Sequence, residues 1–213
     1  MLVDIHTHIL VETDYPAIRN LTFTEGERIF RTNEKGLFSL GFHPWHADEF
    51  SDLLLNKLVS WTDDRRLVAI GECGLDKNSK VPLELQIRVF ELQIVLSEKI
   101  RKPMIIHCVG CFNELFELKK KLNPSQLWII HGFRGKPELA NQVLKAGCEL
   151  SFGEHFNNES VAITPLNHLF VETDESLKSI FEISKQISKL KNCELEELNA
   201  GENLIKSLSL HSI

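Results

Sequence analysis

Short apolar runs, most of them closed by a histidine or a carboxylate, recur along this chain and limit what it can fold into. "LVAIG" (67–71) precedes Glu72, "PMIIH" (103–107) ends in His107, "LWIIH" (127–131) ends in His131, and "HLFVETD" (168–174) ends in Asp174. "CELSF" (148–152) is a further run of the same kind. Between the runs lie segments of helical period. Pro82 to Ile100 carries Leu83, Ile87, Phe90 and Ile94 on one face, and "FNELFELKKKL" (112–122) is helix-like. "KPELANQVLKAG" (136–147) has proline near its start and glycine at its end, and a C-terminal helix is expected from about Leu177 to Leu190. Runs buried on both faces and separated by amphipathic helices predict an α/β fold with a parallel sheet.

The first sixty residues are less regular. "MLVDIHTH" reads as a strand, "KGLFSLGFHP" (35–44) as another, and "AIRNLTF" (17–23) as a weak strand between them. One strand–helix–strand crossover takes about thirty residues, which is all that separates the first two. One unit is therefore expected to be trimmed, with a helix reduced to a turn. The whole chain, residues 1–213, is long enough for a large core and is expected to form one domain.

In "DIHTH" (4–8) the strand period of two puts Asp4, His6 and His8 on one face and Ile5 and Thr7 on the other. Taken alone, this is either a metal clamp or an accident of composition. The other strand ends decide it. The carboxyl ends of all strands in a (β/α)₈ barrel converge on one face. Six ligand-type side chains, His6, His8, Glu72, His107, His131 and Asp174, sit at the ends of five strands in a chain with only nine histidines. His43 lies just beyond another strand.

Four neutral nitrogens and two carboxylates suit divalent ions. A structural zinc site closes with four ligands and has no use for six. Two ions are therefore expected, with Glu72, midway in strand order, as the bridging carboxylate. Such a pair shares a hydroxide, generates a nucleophile near neutral pH and stabilises the departing oxygen. Zinc, manganese or magnesium would serve.

Composition narrows the partners. The net charge of −6 argues against a broad nucleic-acid-binding face but leaves room for a phosphate held by metal ions in one pocket. Five cysteines without regular spacing fit a reducing cytoplasm. The start lacks a basic region followed by a long apolar run, so no signal peptide is expected. No stretch approaches the roughly 18 apolar residues of a membrane span. No obligate protein partner is expected.

In combination, "DIHTH", "GFHPW", "IGECGLD", "PMIIH", "IIHGFRG" and "FVETD" resemble the TatD-related metal-dependent deoxyribonucleases of the amidohydrolase superfamily, and the likeness runs through "NAGENLIKSL" near the end. The resemblance implies a distorted TIM-like (β/α) barrel with a shortened N-terminal βα region, two divalent cations, and hydrolysis of phosphodiesters such as DNA in the 3′-to-5′ direction. It assigns His6, His8, Glu72 and Asp174 to one ion and Glu72, His107 and His131 to the other. It places His43 at the rim, against substrate phosphate or leaving group, and has Asp174 take a proton from the attacking water. The chain departs from the family at Val109, where many relatives have arginine, at Lys77, where an aromatic is usual, and at Glu175-Ser176, where Ala-Pro is common. These departures keep two other readings open: a hydrolase of a small amide or ester, and a metal-binding barrel without turnover.

Several residues carry two readings. Arg134 of "GFRG" is a phosphate contact or a surface residue. Trp45 walls the pocket beside His43 or packs on the following helix. Asp76 orients a ligand or begins a loop. Cys108 and Cys111 form a redox pair or pack at a helix start. Lys119, Lys120 and Lys121 are a solvated helix face or a phosphate contact. Asp4 lies deeper than His6 and is expected to make a buried hydrogen bond. Cys73 is expected in the core, and His46, His155, His168 and His211 at the surface or in caps.

Overall fold

The computed structural model describes residues 1–9 and 15–210, so His211 lies outside the described residues. Among them are eight strands and eight helices, which begin β1 (Asp4–Thr7), β2 (Ala17–Leu21), α1 (Phe23–Ile29), β3 (Leu37–Leu40), α2 (Asp52–Trp61), β4 (Leu67–Asp76), α3 (Leu83–Ile100) and β5 (Met104–Val109). They continue α4 (Phe112–Leu122), β6 (Trp128–Ile130), α5 (Pro137–Lys145), β7 (Glu149–Phe152), α6 (Asn158–Ile163), β8 (Leu169–Val171), α7 (Ile180–Lys191) and α8 (Ala200–Leu210). Strand order in the sheet is chain order, β1 to β8. The N-terminal βα region is short, as expected, since α1 has only 7 residues.

Local chemistry sets the helix starts. Thr22 accepts from the Glu25 amide while the Glu25 carboxylate reaches back to the Thr22 amide, a reciprocal cap that starts α1. Ser179 and Glu182 do the same for α7. That cap moves the start of α7 to Ile180, three residues past the expected Leu177. Ser51 caps α2 through the Leu54 amide at 3.3 Å.

The backbone divides into two compact units, one of residues 1–19 with 129–213 and one of residues 20–128. In the first, β1 pairs with β2 and β6–β7–β8 form a parallel run. Thr7 of β1 also bridges in parallel to Asp174. Ile5, Leu150, Phe152, Ile183 and Ile187 are buried there. Burying each such side chain favours folding by about 1.5–3 kcal/mol.

In the second unit, β3, β4 and β5 pair in parallel. Phe90 of α3 and Trp128 are fully buried, with ring centroids 5.4 Å apart. Phe30 and Trp61 form a second aromatic contact at 5.4 Å. β4 does not stop at Gly71 as the apolar run implied. It continues through Glu72 to Asp76, so Glu72 lies inside the strand. Two glycines make this possible. A Cβ at Gly71 would come within 2.5 Å of the Ile105 carbonyl, and one at Gly74 within 2.1 Å of the His107 carbonyl. Only glycine lets the two backbones lie that close. β5 likewise runs on past His107 to Val109.

Candidate metal centre

In the first unit, backbone pairing sets the histidines. The Asp174 amide donates to the His6 carbonyl at 2.9 Å, and the His8 amide donates to the Asp174 carbonyl at 3.1 Å. Asp174 thus sits between the two histidines in the ladder, with a φ of 54° that turns the chain there. Below it, Asp4 accepts from Thr173 twice, from the amide at 3.0 Å and from the hydroxyl at 2.6 Å. This is the buried hydrogen bond expected of Asp4. Burial pushes its carboxyl up to about 7, against the lowering effect of the Thr173 bonds.

The side chains that result are candidate ligands. His6 Nε2 lies 3.8 Å and His8 Nε2 3.6 Å from Asp174 Oδ1. Two ligands of a tetrahedral ion, each about 2.1 Å from it, stand roughly 3.4 Å apart. These gaps are longer than hydrogen bonds and near the span of a shared ion, so the donor set fits a divalent cation. His131, one residue past β6, lies with its ring centroid 4.4 Å from that of His6.

Glu172 received no role from the sequence beyond its place in "FVETD". It is wholly buried, with Oε1 3.5 Å from His131 Nδ1 and accepting the Gly132 amide at 2.5 Å. Gly132 has a φ of 56°, a turn that glycine makes without strain. Burial pushes the Glu172 carboxyl up, but His131, His6 and Ser151 outweigh it and hold it below the usual range. A carboxylate against the far nitrogen of a ligand histidine fixes the ring's orientation. His131, Glu172 and Asp174 form a second group within ligand reach of one another.

Asp174 and Arg134 also line a cavity of about 620 Å³ together with Glu154, His155, Ser176 and Lys178. Arg134 is exposed on its wall. Glu154 ties the loop after Asp174, accepting from the Ser176 hydroxyl at 2.5 Å and from Lys178 Nζ at 2.9 Å. Both partners hold its carboxyl below the usual range.

In the second unit the groups are closer. Glu72 Oε1 lies 2.9 Å from His107 Nδ1 and 3.1 Å from His43 Nε2. His107 Nε2 lies 3.0 Å from Asp76 Oδ2, which also accepts the Trp45 indole N–H at 2.6 Å. Asp76 therefore orients His107, a candidate ligand, from its place as the last residue of β4. Burial pushes the Asp76 carboxyl up, but hydrogen bonds from Trp45, Asn78 and His107 outweigh this and hold it low. His43 Nδ1 accepts the Trp45 amide at 3.2 Å, capping the 3₁₀ segment Pro44–Glu49. A neutral His43 then carries its proton on Nε2, facing Glu72. His43, Glu72 and His107 lie within ligand reach of one another.

Two buried glutamines of α3 hold this second group in place. Gln93 bonds both the amide and the carbonyl of Phe42, at 2.7 and 3.1 Å, just before His43. Gln86 does the same for Asp76, at 2.8 and 3.1 Å. Asn20 accepts the Glu72 amide at 2.7 Å.

The remaining histidines and cysteines follow the plainer readings. His46 and His168 pair with Glu49 and Glu149 at 3.0 and 2.7 Å. Cys73, Cys111 and Cys148 are buried, and Cys108 and Cys111 are not joined in a disulfide. Lys119 lies over the Trp128 ring at 4.7 Å, and Lys121 pairs with Glu91.

Parallel strands alternating with helices, and histidine–carboxylate groups on the strands and just beyond them, fit the metal-dependent hydrolases of the TIM-barrel type. The family model of the TatD related DNases matches residues 18–201, and the chain belongs to that family. A metal-dependent hydrolase of Buchnera aphidicola is 26% identical over 87% of this chain and 78% of its own length. The 3′-5′ ssDNA/RNA exonuclease TatD of Erwinia amylovora is 30% identical over 63% of this chain and 56% of its own. The crystal structure of YjjV, a TatD homologue from Escherichia coli K12, superposes with a TM-score of 0.82, at 20% identity and 97% coverage of both chains. The fold is thus the expected TIM-like barrel.

Proposed function

We propose that residues 1–213 act as one hydrolase domain that cleaves phosphodiester bonds of DNA or RNA from the 3′ end, using two divalent cations. The observation that carries this reading is the pair of histidine–carboxylate groups, His6–His8–Asp174 and His43–Glu72–His107, in a chain of the TatD family. Following the family's pattern, His6, His8, Glu72 and Asp174 would hold one ion, and Glu72, His107 and His131 would hold the other. Zinc, manganese and magnesium are the candidates. Bound cations of this kind acidify water and draw charge from a phosphoryl oxygen.

The protein's own groups do the rest. Asp174, partly exposed beside the 620 Å³ cavity, takes the proton of the attacking water. His43, at the rim, lies against the substrate phosphate or the leaving oxygen. Arg134, on the cavity wall, meets a phosphate of the strand. Five cysteines without regular spacing agree with a cytoplasmic location, and no described helix is long and apolar enough to cross a membrane.

The test is metal analysis of the purified protein beside a nuclease assay at low salt on single-stranded DNA and RNA, since phosphate contacts weaken as ionic strength rises. Chelation is expected to abolish hydrolysis and re-addition of a divalent ion to restore it. Full activity after thorough metal removal overturns the reading. Turnover of cyclic amides or lactones, but of no phosphodiester, overturns the substrate class alone.

A further inference from the structure

The chain has three tryptophans, and two of them are structural. Trp128 is fully buried, and Trp61 packs among Phe23 and Phe30. Trp45 is different. It is 56% exposed, although a side chain this large is usually well covered. Exposure on that scale removes the reading in which it packs on the following helix.

An exposed ring of this size ordinarily samples several rotamers, but this one is tied down. Its indole N–H is held by Asp76 Oδ2 at 2.6 Å, and its amide by His43 Nδ1 at 3.2 Å. The same Asp76 oxygen holds His107. The ring lies edge-to-face with His43 at 5.1 Å between centroids and 86° between planes, so the two rings do not stack. His107 stands 6.2 Å away. An apolar aromatic surface is therefore fixed in orientation, open to solvent, and within one nucleotide's length of two histidines of the candidate centre.

We propose that Trp45 is the stacking platform for a nucleobase, that of the nucleotide whose phosphate is cleaved beside His43 and His107. This rests on the phosphodiesterase reading and specifies how the substrate is held. Aromatic faces accept any base, so the contact favours nucleotides over bare sugar phosphates without reading sequence. Because the ring is already fixed, little rotamer freedom is lost on binding.

Two measurements test it. In the first, the zinc- or magnesium-loaded protein is titrated with deoxynucleoside monophosphates and with deoxyribose 5-phosphate while tryptophan emission is followed. Saturable quenching by the nucleotides only, absent in Trp45→Phe, supports the platform. Equal response to both, or the same quenching in Trp45→Phe, overturns it. In the second, hydrolysis of single-stranded oligonucleotides is compared for a normal and an abasic terminal nucleotide. Trp45→Ala is expected to raise KM on the normal end by roughly 5- to 150-fold, the range of single base–aromatic contacts. On the abasic end Trp45→Ala and Trp45→Phe, which both lack the indole N–H held by Asp76, are expected to behave alike, while on the normal end Trp45→Phe keeps most of the wild-type preference. If Phe and Ala variants lose activity equally on both ends, Trp45 acts only by holding Asp76, and the platform is wrong. Nucleotide-specific quenching without any phosphodiester cleavage would instead remove the hydrolase reading and leave the platform standing.

Discussion

The two units build their ligand groups by different means. In residues 1–19 with 129–213, the main chain sets the geometry: Asp174 is laced between His6 and His8 in the strand ladder, and the side chains stand 3.6 and 3.8 Å apart. In residues 20–128, side chains hold one another. Glu72 lies at hydrogen-bond distance from two histidines, and Asp76 and two glutamines brace the surroundings. Gaps of 3.6 and 3.8 Å match the span of two ligands that share a cation. Contacts at 2.9–3.1 Å are satisfied without one. The first group is thus ordered through the backbone, and the second through its side chains.

The strongest way to break this contrast is to remove one carboxylate from each group. Asp174→Asn should lower kcat by about 10²- to 10⁴-fold, the range of a lost proton acceptor. Its metal content should fall by the ion at His6 and His8 alone. Glu72→Ala, lacking the residue assigned to both ions, should lose both. Metal analysis of the two variants decides, and equal loss in both would end the asymmetry.

Next come the residues that orient ligands. Asp76→Asn and Glu172→Gln each take a charge from behind a ligand histidine, and each should cost about 10- to 100-fold in metal affinity or activity. Competition with a metal-sensitive dye measures this. A smaller effect is expected of Gln93→Ala, which leaves the Phe42 amide and carbonyl without their partner in the core. It should lower stability in urea by about 1–3 kcal/mol. The smallest should come from Glu154→Gln, which loosens the loop after Asp174. The folded Glu154 carboxyl lies below its ordinary 4.5, so its contribution is present above that pH and fades as pH falls through the lower folded value. The wild-type advantage in thermal unfolding should therefore vanish in acid.

Much of the site was legible because short apolar strands, and the residues just beyond them, carry it. The period of two in "DIHTH" and the histidines closing "PMIIH" and "LWIIH" need only strand geometry to be read. The extent of β4 was hidden, since Gly71, Glu72 and Gly74 look like a strand's end until the close passage of β5 is seen. Gln86 and Gln93 interrupt an apolar helix face at a spacing of two turns, a signal that was present but reads as noise without the loops they hold. Glu172 was masked by its neighbour Asp174, because a buried carboxylate has no mark of its own until its partner histidine is in place. The Ser179–Glu182 cap was spelled out in the chain and would have corrected the start of α7.

The bridge between Thr7 and Asp174 joins positions 167 residues apart. The two histidines beside Thr7 meet the Asp174 carboxylate only through this long-range pairing of β1 with the segment after β8. Any change that opens this one pairing therefore parts the two histidines from their carboxylate, however well the rest of the sheet holds.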